Sequence, residues 1–288
     1  VFTTMLTTNT GTQNATALIA DILAALGKLI IVPPGTYTLN SVTLNGPDVG
    51  ATVYANGVVN IKFMPGSTLV PDAALKAYPT AQFTQTGRMF RFYNCNTRWY
   101  WLNVDGNNGL EIALRADLGE LRVYDATMID VGFTDVPYPS PQTWVGGTVG
   151  IIAKGCDHFE VVGYKGSGFI GLDNGSYGTN PGKVNHIMPY ENFDVILRDI
   201  TCSGGAGEDN DFIHVLDQRV PPLQRCDFDN FNLYANHNTR RGIKFQGGYN
   251  TARHIYVHQG ADFVPVALGS AFVRGTAVTQ ANPGVVTI

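Results

Sequence analysis

Asn192-Phe-Asp-Val-Ile-Leu-Arg-Asp-Ile200 runs on to Asp211-Phe-Ile-His-Val-Leu216. Arg225-Cys-Asp-Phe-Asp-Asn-Phe-Asn-Leu233 runs on to Arg241-Gly-Ile-Lys-Phe-Gln246, and Ala252-Arg-His-Ile-Tyr-Val-His-Gln-Gly260 to Ser270-Ala-Phe-Val-Arg274. Laid under one another, these are three lines of one pattern, each with two short apolar runs separated by a polar, Gly-rich turn. Ile213, Ile243 and Phe272 fall in register at spacings of 30 and 29 residues. A near-constant period means stacked units, none of which buries its apolar face alone. The runs are β-branched and aromatic, so the unit is a coil of strands, and Gly and Asn at its corners point to a parallel β-helix. The register predicts that Ile213, Ile243 and Phe272 stack inward.

The totals agree. The chain has 288 residues, 33 of them Gly, and only 15% are charged. That is enough for a large core, and a solenoid of this length is one domain. The formal net charge of −4 gives no electrostatic case for nucleic acid or an anionic membrane as partner. No apolar run approaches the roughly 18 residues of a bilayer span. Cys95, Cys156, Cys202 and Cys226 lie in separate strand-like segments without metal-ligand spacing and read as buried thiols. His254 and His258 share a face but lack a third ligand, so no metal or other cofactor is expected.

At the N-terminal end, Asn14 is placed to cap a helix over Ala15–Leu26, with Leu18, Ile19, Ile22, Leu23 and Leu26 on one face and Gly27 as the stop. Leu29-Ile-Ile-Val32 is the first strand and Pro33-Pro-Gly-Thr-Tyr37 a turn. A helix there covers the open end of a stack, which otherwise exposes apolar side chains and strand edges. Residues 1–37 are thus expected as cap and first rung, and 38–288 as the body. Two long loops are expected to project from it, Thr134–Gly147 and Leu172–Tyr190, with a third polar excursion at Met64–Thr86. Trp99 and Trp101 share a strand face and read as core. Ala277–Ile288 ends in a strand-like run, which reads as a fragment or as an end covered by a neighbouring chain.

The segment Gly11-Thr-Gln-Asn-Ala-Thr-Ala17 together with Ile30-Ile-Val-Pro-Pro-Gly-Thr-Tyr37 resembles the opening of the pectate-lyase-like superfamily, especially its phage tailspike and capsule-depolymerase members. Asn103-Val-Asp-Gly-Asn107 resembles a second recurring piece of that group. The resemblance implies a single right-handed parallel β-helix, an all-β fold with an N-terminal capping helix. It also implies a homotrimer, a place in the virion or outside the cell, and a bacterial exopolysaccharide, capsule or lipopolysaccharide O-antigen as partner.

Glycan cleavage on such a coil needs groups on its outer face. Rungs stack at about 4.8 Å and alternate residues lie about 6.8 Å apart, so carboxylates on neighbouring rungs reach the roughly 6.5–9.5 Å that inverting hydrolysis requires. The densest acidic cluster is Glu208, Asp209 and Asp211, with Asp173 one turn earlier as a further catalytic candidate. The same residues also suit a solvated turn capping its own backbone. Asn210-Asp211-Phe-Ile-His-Val215 and Gly242-Ile-Lys244 resemble the Asp-Asp-x-Ile-x-Ile and Arg-Ile-Lys strands of polygalacturonases, but with Asn210 for the first aspartate, Gly242 for the arginine and no Gly-His-Gly between them. Alternation turns His214 and Lys244 outward, side by side, and gives Asp211 the inward parity of Ile213. Arg219 and Arg241 are placed to hold a sugar carboxylate, or to pair with Asp217 or Asp229. Trp144 and Tyr138 suit stacking on a sugar ring or fastening their loop. The leading expectation is a polysaccharide hydrolase. A lyase working by β-elimination through His214, Lys244 and Arg241, or a non-catalytic glycan-binding fibre module, stands beside it.

Overall fold

In the computed structural model the described residues are 4–6, 12–40, 49–54, 57–72, 87–107, 109–110, 112–133, 148–170, 183–204, 209–235, 241–258, 264–268, 279–282 and 285–287. They form β1 (Thr4–Leu6), β2 (Thr12–Asn14), α1 (Ala15–Ala24), β3 (Leu29–Val32), β4 (Gly35–Asn40), β5 (Val49–Tyr54), β6 (Val58–Phe63), β7 (Ser67–Pro71) and β8 (Gly87–Tyr100). There follow β9 (Asn103–Asp105), β10 (Gly109–Leu110), β11 (Ile112–Tyr124), β12 (Thr127–Ile129), β13 (Gly132–Phe133), β14 (Thr148–Lys154), β15 (His158–Ser167) and β16 (Lys183–Tyr190). The last are β17 (Asp194–Ser203), β18 (Asp209–Leu216), β19 (Arg225–Tyr234), β20 (Arg241–Gln246), β21 (Tyr249–His258), β22 (Val264–Leu268), β23 (Thr279–Asn282) and β24 (Val285–Thr287).

Apart from the antiparallel pairs β10–β13, β21–β24 and β23–β24, the strands pair in parallel with their counterparts one coil away, so the chain is a right-handed parallel β-helix with an N-terminal capping helix. Three sheets wrap the core. The first holds β5, the start of β8 and of β11, β14, β16, β18, β20 and β22. The second holds β3, β6, the ends of β8 and β11, and the starts of β15, β17, β19 and β21. The third runs from β2 and β4 through β7, β9 and β12 to the ends of β15, β17, β19 and β21.

The long strands bend at residues with left-handed backbone. At one corner Trp101, Asp125, Gly163, Asp199, Asn230 and His254 stand above one another, all with φ between 51° and 75°. Asp, Asn and Gly tolerate this conformation best, because a short polar side chain or none avoids the Cβ clash. At the corner between the first two sheets Asn94, Leu118, Gly155, Glu191 and Gly247 do the same.

Inside, Phe90, Leu114, Ile151, Ile187, Ile213 and Ile243 form one column. The pairing of Ile213 with Ile243 is as expected, but β20 pairs onward through Ile243 and Val266. Val266 therefore occupies the place expected for Phe272, which lies outside the described residues. Ile243 is fully buried. Ile243→Ala is expected to cost about 2–5 kcal/mol through lost burial and a residual cavity. A urea melt of the variant that overlays the parent would show that this column does not carry the core.

Other expectations need correction. The helix ends at Ala24 rather than Leu26, and Leu23 is exposed while Ile22 is buried, so its buried stripe is narrower than the sequence suggests. The turn expected at Pro33–Tyr37 opens directly into β4, and β7 lies within the Met64–Thr86 excursion. The loop expected over Leu172–Tyr190 contains β16, so its last eight residues are wall; 171–182 and Thr134–Gly147 lie outside the described residues. Trp99 is core, but Trp101 is 41% exposed because its left-handed backbone breaks the alternation. Within the strand-like run expected at Ala277–Ile288, β24 pairs antiparallel with β21 at Ile255 and Tyr256. All four cysteines are buried free thiols.

Candidate functional site

On the outer side of the first sheet, alternation sets side chains in columns. Arg91, Arg115, Ile152 and Met188 make one, and it continues through His214 beside Lys244. A second holds Tyr93, Asp117, Lys154 and Tyr190. Asn185 and Asp211 stand in register on neighbouring coils, and the backbone of Arg241 follows them. Ile112, Val149 and Ile152 form a small apolar cluster of their own on this outer side.

An open groove of 490 Å³ follows the corner across these coils. Its floor is a charged trio. Arg91 Nε donates to Asp117 Oδ2 at 2.6 Å. Arg115 donates to the same carboxylate from Nη2 at 2.7 Å and from Nε at 2.8 and 3.0 Å. Burial alone would raise the Asp117 carboxyl, but the hydrogen bonds and charges of Arg115 and Arg91 outweigh it and hold it below the usual range. Two guanidiniums on one carboxylate leave the trio with a net positive charge.

Two more cations border the groove, each over an aromatic ring. Lys154 Nζ lies 4.5 Å from the centroid of Tyr190, and the Arg219 guanidinium 4.9 Å from that of Phe193. Arg219 also donates to Asp217 Oδ1 at 2.8 Å and to the Asn192 carbonyl at 2.6 Å. Asp217 accepts further from the backbone N–H groups of Leu223 and Gln224, at 2.8 and 2.7 Å. Burial would raise this carboxyl, but Arg219 and the backbone donors hold it low. Tyr93 and Phe193 offer exposed ring surface on the groove wall.

The residues singled out from sequence divide. Asp211, His214 and Lys244 come together: His214 pairs across coils with Lys244, its Nδ1 is 4.0 Å from Asp211 Oδ2, and its Nε2 is 2.5 Å from Gln246 Oε1. Asp211 and His214 are only 1% and 3% exposed, so both sit beneath the surface of this face. The backbones of Asp209 and Arg241 lie in the neighbouring strands β18 and β20. Arg219 belongs to the groove and has taken Asp217 as partner. Glu208, Asp173, Trp144 and Tyr138 lie outside the described residues. Among the described residues no three His, Cys, Asp or Glu side chains converge as metal ligands.

Arg91, Arg115, Asp117, Lys154 and Phe193 did not stand out from the sequence. Their signal is Arg91-Phe-Tyr93 and Arg115-Ala-Asp117, polar residues alternating with inward ones, which becomes a site only once the coils are in register. No protein-family model matches the chain, and no curated protein matches it. Among solved structures, the A-module of mannuronan C-5 epimerase AlgE4 from Azotobacter vinelandii aligns over 92% of this chain and 100% of its own, at 12% identity and a TM-score of 0.19. So low a score carries no argument about fold or activity. The fold stands on the strand pairing itself.

Proposed function

We propose that this chain is a polysaccharide-processing β-helix that holds an acidic glycan along the outer face of its first sheet and cleaves it by β-elimination. The observation that carries this reading is the corner groove, where Arg91, Arg115, Lys154 and Arg219 line a wall shared with Tyr93 and Phe193. Elimination on a uronic-acid polymer requires a cation at the sugar carboxylate, so that the C5 proton can be lost to a base as the C4–O4 bond breaks. Guanidiniums suit that carboxylate, and ring surface suits the sugar's apolar face. Hydrolysis is less well served. It requires a protonated acid, and of the two carboxylates lining the groove Asp117 is held ionised by two arginines, which leaves Glu191 as the one to test in that role. Lys154 in the groove and His214, two rungs further on and about 10 Å along the axis, are the basic side chains to test as the base.

The resemblance of the opening segment to tailspikes and capsule depolymerases extends the proposal to a bacterial surface glycan as substrate, a virion or extracellular location, and a homotrimer. Sedimentation of the purified chain at one-third of the trimer mass would remove the last. The activity is tested by incubation with polygalacturonate, alginate and a panel of acidic bacterial capsules. Ultraviolet absorbance from an unsaturated uronate is expected to rise on at least one of them. Arg115→Ala is expected to lower kcat/KM by about 10²–10³-fold, the scale for losing one charge-stabilising donor. New reducing ends without absorbance would make the chain a hydrolase. Saturable binding without any product would make it a binding module.

A further inference from the structure

The corner between the first two sheets carries a further signal inside the groove. Of the left-handed residues at this corner, Asn94, Gly155 and Gly247 are of the types that adopt such a backbone readily. Leu118, at φ 64°, and Glu191, at φ 53°, are not. The Cβ of a leucine crowds its own backbone in this conformation. Both of these residues line the groove, and they stand one coil to either side of Gly155. The backbone of Leu118 has no room to relax. Gly119 follows it at φ 72°, so close to the neighbouring coil that a Cβ there would lie 2.4 Å from the Cys95 carbonyl oxygen. The Asp157 N–H donates to the Gly119 carbonyl at 2.8 Å and fixes the other side. Nor does the Leu118 side chain serve the core, since it is 41% exposed. Strain of this kind persists only where the surroundings impose it, and it gathers at binding sites.

Between Leu118 and Glu191 lies an open notch. A carbon placed where a Gly155 side chain would begin meets Leu118 Cδ2 at 3.2 Å and, among the described residues beyond its chain neighbours, nothing else within 4 Å. The notch has an aliphatic side chain on one flank and a carboxylate on the other, within a groove whose floor is positive. We propose that it takes the acetamido group of an N-acetylhexosamine, so that the glycan in the groove is one in which uronate and N-acetylhexosamine alternate. This rests on the acidic-glycan reading of the groove and narrows it. An acetamido group offers its methyl to Leu118 and its N–H as donor to the Glu191 carboxylate. The carboxylate of the adjacent uronate is left to Arg91 and Arg115, whose trio with Asp117 is net positive. A plain polyuronate has no methyl for Leu118, and its closely spaced carboxylates set like charge against Glu191.

The intact chain is titrated calorimetrically with hyaluronan and heparosan hexasaccharides, and with hexagalacturonate and hexaguluronate as plain uronates; for a probe that is cleaved, KM is read instead. At least one N-acetylated probe is expected to bind about tenfold or more tighter than either plain uronate. Leu118→Asn is expected to shrink that preference about three- to tenfold, the scale for losing a methyl contact. Its melting temperature is expected to equal or exceed the parent's, because asparagine suits the left-handed backbone and the leucine side chain lost is an exposed one. The proposal is overturned if the plain uronates bind as tightly as the N-acetylated probes, or if Leu118→Asn keeps the full preference. It is also overturned if that variant melts below the parent, which would make Leu118 a structural residue. Binding of plain uronates alone would remove the notch and leave the acidic-glycan reading standing. Binding of none of the four would remove both.

Discussion

Trp99→Ala is expected to destabilise the N-terminal coils by about 3–5 kcal/mol, the largest effect of any single core truncation in this part of the chain. Trp99 is fully buried. Its ring stacks on Phe63 at 6.2 Å and packs against Phe90 and Phe92 at 5.2 and 5.4 Å. Its Nε1 has no hydrogen-bond partner, so the loss is one of apolar contact alone. Ile22 of α1 lines the same enclosed pocket as Trp99, so truncation also loosens the cap. Because coils contact only their neighbours, the loss should be felt locally. Hydrogen exchange is expected to show faster opening from β3 to β9 and little change from β17 to β21. Uniform loss of protection along the chain would mean that it unfolds as a single unit and that the local account is wrong.

Asp117→Asn is expected to cost about 3–5 kcal/mol at pH 7, because it leaves Arg115, 8% exposed, and its neighbour Arg91 without their shared counter-charge. The pH dependence follows from the depressed carboxyl. Its stabilising contribution is fully present above the unfolded value near 3.9, and is lost as pH falls through the lower folded value. Urea melts at pH 7 and at about pH 3 check this. The gap between parent and variant should narrow in acid, since protonation imposes on the parent what the substitution imposes on the variant. A gap of equal size at both would show that shape, rather than charge, is what Asp117 supplies. Asp217 obeys the same sign, so the parent itself should weaken at acidic pH.

Much of the fold can be read in advance, because alternation and corner chemistry repeat. The described parts of the three lines from Asn192 onward are mostly strand, and Asp199 and Asn230 are corner residues of the types a left-handed backbone prefers. Where reading fails, a local signal has been overridden by packing. Lys183–Tyr190 carries Asn185, His186 and Pro189 and looks like loop, yet it is wall. His186 is fully buried, its ring 3.9 Å from Phe169 and edge-on to Phe212, and burial pushes its pKa down to about 3. It stays neutral and packs as an aromatic plate, so its polarity in the sequence misleads. The site was harder still. Arg91 and Arg115 are 24 residues apart, while Asp117 and Lys154 are 37 apart, so no fixed period brings the groove together.

That irregularity has a consequence of its own. Down the column Phe90, Leu114, Ile151, Ile187, Ile213, Ile243 and Val266, the steps are 24, 37, 36, 26, 30 and 23 residues, yet each partner is met in register. The two longest steps place their extra residues between β13 and β14 and between β15 and β16. Each rung takes its alignment from the rung beneath it and not from a count along the chain, so a length error at a corner is cancelled before the next rung begins. The coil therefore behaves as an error-correcting frame. Insertions and deletions at those two places are expected to reshape what the surface presents without rewriting the wall.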